Sequence, residues 1–157
     1  MVARRRQILP AMQVDLATMT GNVAQVFGTD ESWMATLNGI RDALRPGGHL
    51  VFEVRDPARQ AWCSWNPEAS YSTVDFPGIG VVESWVEVAR VADQLVSFTW
   101  TFRFQHSGDV ITSDSTLRFR ERAEVEASLQ AAQLRLLEVR DAPDRPGNEF
   151  VFITERT

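Results

Sequence analysis

The sequence predicts an α/β fold that carries a three-stranded antiparallel insertion. Three observations lead there. Residues 14–54 read strand, helix, Pro-Gly turn, strand, the order of a βαβ unit. Residues 80–120 hold three long runs in which apolar and polar side chains alternate. Residues 121–154 then return to a helix followed by two strands.

The first strand is "VDLATM", Val14–Met19, a short apolar run with Asp15 near its head, suited to a buried parallel strand. It breaks at Thr20-Gly21-Asn22 before a helical segment that opens at Val23. Open α/β sheets put their ligands at such strand ends. A longer helix starts at "TDESW", where Thr29 or Asp30 supplies a cap and the acidic first turn suits the helix dipole. Trp33, Leu37, Ile40 and Leu44 recur at helical spacing and form one apolar stripe, which has to face a sheet. "RPGG", residues 45–48, stops that helix. Residues 50–54 form the second strand, a parallel neighbour of the first through a right-handed crossover.

Residues 58–65 read as a short helix, and residues 66–80, rich in turn-forming types, as a loop. The alternation that follows is imperfect in "VVESWVEVARV" and clean in "LVSFTWTFRFQ". In the latter Phe98, Trp100, Phe102 and Phe104 share one face, while Ser97, Thr99, Thr101 and Arg103 share the other. A tight turn at residues 106–109 leads into "VITSDSTLRFR", completing an antiparallel meander over residues 80–120. An amphipathic helix over 121–134, a strand over 135–141, a loop over 143–148 and a last strand over 149–154 close the chain. A single domain is expected, with residues 1–12 as a frayed arm. Arg4-Arg5-Arg6 in that arm reads as a solvated terminus before it reads as a phosphate grip.

Composition narrows the function. A net charge of −5 argues against a nucleic-acid binder, which carries a basic face. All 16 basic residues are arginine and they are scattered, a pattern of base composition rather than of chemistry. Cys63 is the only cysteine, so an intrachain disulfide and a zinc cluster are both ruled out. A nucleophilic Cys63 needs a base, and neither His49 nor His106 stands in a recognisable pairing with it. No signal peptide is expected, and no apolar run approaches the ~20 residues that span a bilayer. The expectation is a soluble, cytoplasmic protein with no membrane partner, no metal and no assigned catalytic residue.

The stretch "LRPGGHLVFE" resembles the second half of class I S-adenosylmethionine-dependent methyltransferases, in which a helix runs into (L/V)-(R/K)-P-G-G and a strand. "TGNVAQVF" is similar to the L-G-N-S-F-A-H-L segment of glycine N-methyltransferases. The three-stranded insert, "FRERAEVEASLQAAQL" and "RPGNEFVFITERT" also have counterparts in that branch, and the resemblance spans residues 13–157. It implies a partial Rossmann-like methyltransferase sheet, made of the later strands only, with the insertion over 80–120 as a lid on the acceptor site. It also implies S-adenosyl-L-methionine as cofactor and a small-molecule acceptor.

Residue by residue, the resemblance puts Thr20, Gly21, Asn22 and Val23 at the methionyl end of the cofactor. Without any ligand, the same residues read as a turn between strand and helix. The arginine that holds the acceptor's carboxylate in glycine N-methyltransferases, in an H-R-N-Y context, matches Arg55 here, in the context "VRDP". A guanidinium suits that task because its fork pairs both oxygens. Asp56 either joins the acceptor site or neutralises Arg55. Tyr71 lies in the loop before the lid, within plausible reach of the acceptor. Glu53 reads as a second polar wall or, more simply, as an outward-facing strand residue. The aromatic face at 98–104 reads as sheet packing or as a hydrophobic pocket, and His106 as a solvent-exposed turn residue.

One part of the pattern has no counterpart in these 157 residues. That family begins with a strand and a D-x-G-x-G-x-G loop, followed by an acidic residue that binds the ribose hydroxyls. Twelve residues precede position 13, whereas the missing β-α-β-α-β portion takes on the order of eighty, at ~30 per βαβ unit. The chain is therefore expected to represent a methyltransferase truncated to its later half, with weak or absent cofactor binding by itself. The outer edge of Val14–Met19 then lacks its partner. Homo-oligomerisation through that edge follows, or pairing with a separate chain that supplies the missing half. The alternative is a non-enzymatic remnant acting as a self-associating or binding module.

Overall fold

The computed structural model describes residues 13–157, so the arm at 1–12 lies outside the described residues. Two four-stranded sheets are present. The first contains β1 (Val14–Met19), β2 (Leu44–Arg55), β7 (Leu134–Asp141) and β8 (Glu149–Arg156), in the spatial order β1-β2-β8-β7. β1 and β2 are parallel, with Met19 beside Phe52, and β8 and β7 continue antiparallel. The strand-helix-strand unit read from the sequence is therefore present.

Between β1 and β2 runs α1 (Asp30–Ala43), capped by the Thr29 side chain, which accepts from the Ser32 N–H. α3 (Arg122–Ala131) precedes β7 and carries a capping box between Glu121 and Glu124. Both helices pack on one face of the sheet. Trp33 and Leu37 of α1 and Val125 and Leu129 of α3 meet Leu50, Phe52 and Val54 of β2 and Phe152 of β8. Phe52 and Phe152 stack with ring centroids 5.1 Å apart, and the Trp33 indole N–H donates to Ser128 Oγ at 2.8 Å. This burial of large apolar side chains is what holds the layer together. The residues that alternate with them, Val51, Val151 and Ile153, point to the opposite face and are only half-buried.

The second sheet contains β3 (Ser72–Phe76), β4 (Gly80–Ala92), β5 (Leu95–Phe104) and β6 (Val110–Arg118), a meander in sequence order. It corrects the expected three-stranded lid to four strands that begin at residue 72. β3 was hidden because all of its residues are exposed, so burial imposes no alternation on its sequence. A short helix, α2 (Pro67–Ser70), also stands where a loop was expected.

Three smaller departures have local causes. The segment after Asn22 is a single 3₁₀ turn, Val23–Val26, rather than a full helix. Residues 58–65 form two 3₁₀ turns, Pro57–Arg59 and Ala61–Ser64, because Gln60 between them is left-handed at φ 46°. The Pro-Gly-Gly segment belongs to β2, which starts at Leu44. Gly48 fits only as glycine, since a Cβ there would lie 2.9 Å from the Arg45 carbonyl oxygen and 3.2 Å from that of Val14.

The two sheets are joined through the end of β6. Phe119 is buried against Trp62 and Trp65, with centroids 4.6 Å and 6.1 Å away. Arg120 donates to the carbonyls of Phe27 and Thr29 and lies 5.3 Å from the Trp33 ring. The second sheet is thereby anchored at the start of α1, next to the carboxyl ends of β1 and β2. Among the described residues no helix is long and apolar enough to cross a membrane.

Candidate functional site

The carboxyl ends of β1 and β2 and the beginning of β8 meet at one edge of the first sheet. β1 is followed by Gly21 and Asn22, both left-handed, at φ 69° and 60°. Glycine adopts this conformation freely and asparagine more readily than most other residues. The turn is fixed from β2. The Glu53 carboxylate accepts the Gly21 N–H at 2.7 Å and the Asn22 N–H at 3.3 Å. Glu53 is thus neither a wall nor an idle outward residue; it holds the loop in shape.

Asn22 is buried, while Thr20, Gly21 and Val23 are exposed. The Asn22 side-chain amide donates to Glu149 Oε1 at 2.8 Å, and Arg145 donates to the same oxygen at 2.6 Å. Glu149, the first residue of β8, is 4% exposed. Arg145 gains proton affinity from this contact, its pKa raised by hydrogen bonding to Glu149.

Arg55 ends β2 and reaches Gln25 Oε1 at 3.1 Å, with its guanidinium 5.7 Å from the Trp65 ring. Burial lowers the pKa of Arg55 and the charge of Glu149 opposes that shift. Asp56 does not neutralise it: its carboxylate caps the next turn by accepting the Ala58 N–H at 2.9 Å, and its ion-pair partner is Arg59 at 3.9 Å. Gln25, 2% exposed, couples β2 to the second sheet, since its amide also approaches the Arg118 carbonyl at 3.5 Å.

Arg55, Ser64 and Trp65 lie between two adjoining chambers. One, of about 500 Å³, is basic, lined by Arg55, Arg59, Arg145 and Asn148, with Glu149 as its carboxylate. The other, of about 420 Å³, is apolar, lined by Trp65 and by Val86, Phe98, Trp100 and Leu117 of the second sheet. Phe98 and Trp100 of the aromatic face are therefore cavity walls, and Phe98 also packs edge-on against Trp65 at 4.7 Å. A mostly apolar cleft with a few convergent polar groups is the usual form of a small-molecule site.

The structure brings Arg55 to this cleft, whereas Asn22 meets it only through its bond to Glu149, and Thr20, Gly21 and Val23 line neither chamber. It does not bring Tyr71, which is 51% exposed in front of β3 and donates to Glu83 Oε1 at 2.7 Å. Asp56 lies on a neighbouring surface with Arg59, Arg122 and Phe150. Exposed Cys63 lines the basic chamber, and His106 is exposed in the β5–β6 turn. The described residues hold no group of three or more His, Cys, Asp or Glu able to bind a metal. Sequence reasoning missed Glu149, Gln25 and Trp65. For Glu149 a signal existed: a lone acid opening the apolar run "EFVFIT".

The fold has clear counterparts among solved structures. A methyltransferase from Clostridium acetobutylicum superposes with a TM-score of 0.73 at 15% identity, over 92% of this chain and 58% of its own. The CcbJ methyltransferase from Streptomyces caelestis gives 0.69 at 19%, over 95% and 59%. The sugar N-methyltransferase KedS8 from a Streptoalloteichus species gives 0.66 at 15%, over 92% and 57%. The fold is that of S-adenosylmethionine-dependent methyltransferases. At these identities the likeness is one of architecture, and the chain spans less than three fifths of the length of each. No protein-family model and no curated protein matches the sequence. Within the methyltransferase fold, the cleft described above lies at the carboxyl ends of the parallel strands, where ligands of open α/β sheets bind.

Proposed function

We propose that this chain forms the acceptor side of an S-adenosylmethionine-dependent methyltransferase for a small molecule, nearest the amine-methylating, glycine N-methyltransferase-like branch. One observation carries the proposal: a methyltransferase fold over 92% of the chain, with a bipartite cleft between the strand ends and the lid. The sugar N-methyltransferase among the similar structures supports an amine acceptor.

The residues present suit part of the cofactor. Thr20, Gly21, Asn22 and Val23 would hold its methionyl end, since buried Asn22 keeps an unpartnered oxygen at that place. No glycine-rich loop and no ribose carboxylate of the family's kind is encoded in these residues, so that wall of the site comes from a segment outside them. When bound, the donor supplies an electrophilic methyl group; the protein's task is to position the acceptor in line with it. Arg55 would pair an anionic group on the acceptor, and the aromatic chamber would receive its apolar body and shed water. Glu53 fixes the loop after β1 by accepting the Gly21 and Asn22 N–H groups.

Titration calorimetry with S-adenosylmethionine tests this proposal, first on the chain alone and then on the chain mixed with any polypeptide encoded just upstream. Weak or no binding alone, and restored binding in the mixture, is the expected result. Affinity tighter than about micromolar for the chain alone, near −8 kcal/mol, overturns the assignment of a missing wall. Failure of both samples to bind overturns the enzyme. An in-frame D-x-G-x-G-x-G segment upstream of Met1 marks a longer polypeptide, and the same segment in a separate gene marks a split one.

A second reading has its own support. β1 is an edge strand, no described residue pairs with its outer side, and Leu16 on it is 56% exposed. Such edges recruit other chains. A self-associating module that binds small molecules without methylating them is the non-enzymatic alternative.

A further inference from the structure

We infer that the cleft takes an anionic amphiphile: a carboxylate seated at Arg55, with an elongated apolar body that fills the aromatic chamber and runs along the second sheet toward Phe102. The inference deepens the proposed function by naming an acceptor class, and rests on it only for calling this ligand an acceptor. The head group follows from the charges. In the basic chamber Glu149 is already bonded to Arg145 at 2.6 Å, and Arg59 lies 3.9 Å from Asp56. Arg55 is half-buried, and its Nη1 donates to the uncharged Gln25 oxygen at 3.1 Å. Its Nε and Nη2 bond to no described residue, and neither is among the polar atoms closed off from solvent. Burial works against the charge and lowers the Arg55 pKa, which Glu149 offsets only in part. A partly buried cation without a bonded counter-charge is stabilised by an anion from outside. One such guanidinium matches a monoanion, and its free edge matches the two oxygens of a carboxylate.

The body follows from the walls. Arg55 and Trp65 also line the apolar chamber of about 420 Å³, with Phe98 and Trp100 of β5. That wall does not stop at a polar side chain. Trp100 stacks on Phe102 with ring centroids 5.9 Å apart, on the same face of the strand. Phe102 is half-buried and stands beside Ile111 of β6, which is 55% exposed. An apolar track therefore leads from the guanidinium through the chamber and out along the sheet. Because the track begins in a concave chamber with a charged group at one end, it has the form of a small-molecule site. A chain laid along it removes apolar surface from water on ligand and protein alike. An acceptor as small as glycine would leave the aromatic chamber unfilled.

The test is titration of the 157-residue chain, without donor, with unbranched carboxylates from hexanoate to dodecanoate, followed by calorimetry and proton NMR. Affinity is expected to rise on the order of twofold to fourfold per added methylene. Decanoate should bind about tenfold more tightly than decanol, which lacks the charge. Nuclear Overhauser contacts should join the terminal methyl of the longer ligands to the rings of Trp100 and Phe102. Arg55→Gln should erase the preference for decanoate over decanol. Phe102→Thr should weaken dodecanoate and leave hexanoate unchanged. Should either variant not fold, the decanoate–decanol comparison and the Overhauser contacts on the parent decide. Affinity independent of chain length, equal affinity for decanoate and decanol, or contacts confined to residues outside the cleft would overturn the inference. Because the probes carry no nitrogen and the donor is absent, the two readings fail separately. Carboxylate binding with no donor binding by the completed protein refutes the enzyme and leaves the ligand class standing. Donor binding with no carboxylate binding overturns the ligand class alone.

Discussion

Replacing Glu53 by alanine tests whether the loop after β1 is held from β2. The side chain accepts two backbone N–H groups, at 2.7 Å from Gly21 and 3.3 Å from Asn22. Hydrogen bonds to a charged group contribute about 1.5–3 kcal/mol each. Gly21 is exposed and the Asn22 contact is long, so water takes over part of the loss. The expected cost is about 2 kcal/mol in total, below the roughly 3 kcal/mol that two such bonds contribute at least when water does not replace them. For a chain of this size, about 2–4 °C accompanies each kcal/mol, which puts the fall in Tm at about 4–8 °C. Because the loop is a local unit, amide exchange at Gly21 and Asn22 should accelerate by more than the global change alone. Glu53→Gln, which keeps one acceptor oxygen, should fall between the two. A Glu53→Ala variant that melts within about 1 °C of the parent, with unaltered exchange at Gly21, would show that the loop holds itself through Asn22 and Glu149 instead.

Phe152→Ala removes a fully buried ring stacked on Phe52 and should cost about 3–5 kcal/mol in a urea titration. Glu83 accepts from Arg103, Tyr71 and Gln105, which together lower its pKa from the ordinary 4.5 to about 2. A depressed folded-state pKa gives stability that is full above pH 4.5 and is lost as the pH falls toward 2. Urea midpoints across that window should therefore slope less in Glu83→Gln than in the parent. Tyr71→Phe loses one half-buried hydrogen bond to Glu83 and should cost less than about 1.5 kcal/mol in a urea titration. Leu16→Lys places a charge on the open strand edge. Sedimentation at micromolar concentration should show the parent associating and the variant as monomer, and a monomeric parent would count against the edge as an interface.

Much of the sheet was legible because its signals are local. The βαβ unit followed from an apolar run, a Thr29 cap, a stripe through Trp33 and Leu37, and a Pro-Gly-Gly stop. Each of these works over a few residues. The lid's aromatic face was legible for the same reason, since Phe98 and Trp100 alternate with polar neighbours. β3 was not, because a wholly exposed edge strand is under no burial constraint and its turn-rich composition reads as a loop. The two 3₁₀ turns at 57–64 escaped because Gln60, with nothing unusual in its sequence context, takes up a left-handed conformation.

At the site, the chain itself singled out Gly21, Asn22 and Arg55, as residues at strand ends with characteristic turn or guanidinium chemistry. Their partners were out of reach. Glu149 lies 127 residues from Asn22 and 94 from Arg55 in sequence, and nothing local says which oxygen it presents to which donor. Tyr71 was sent to the cleft by its position in the chain, whereas the antiparallel pairing of β3 and β4 delivers it to Glu83.

By itself the sequence determined the order of elements, the buried stripe of each helix and the residue types at the strand ends. These depend on backbone geometry and on the period with which apolar side chains recur. Only the tertiary structure decided which charges pair, that Glu53 clamps the loop after β1, and that Asn22 and Glu149 meet in a buried pair. Hydrogen bonds across a sheet join groups remote in the chain, so their partners become known only once the strands lie side by side.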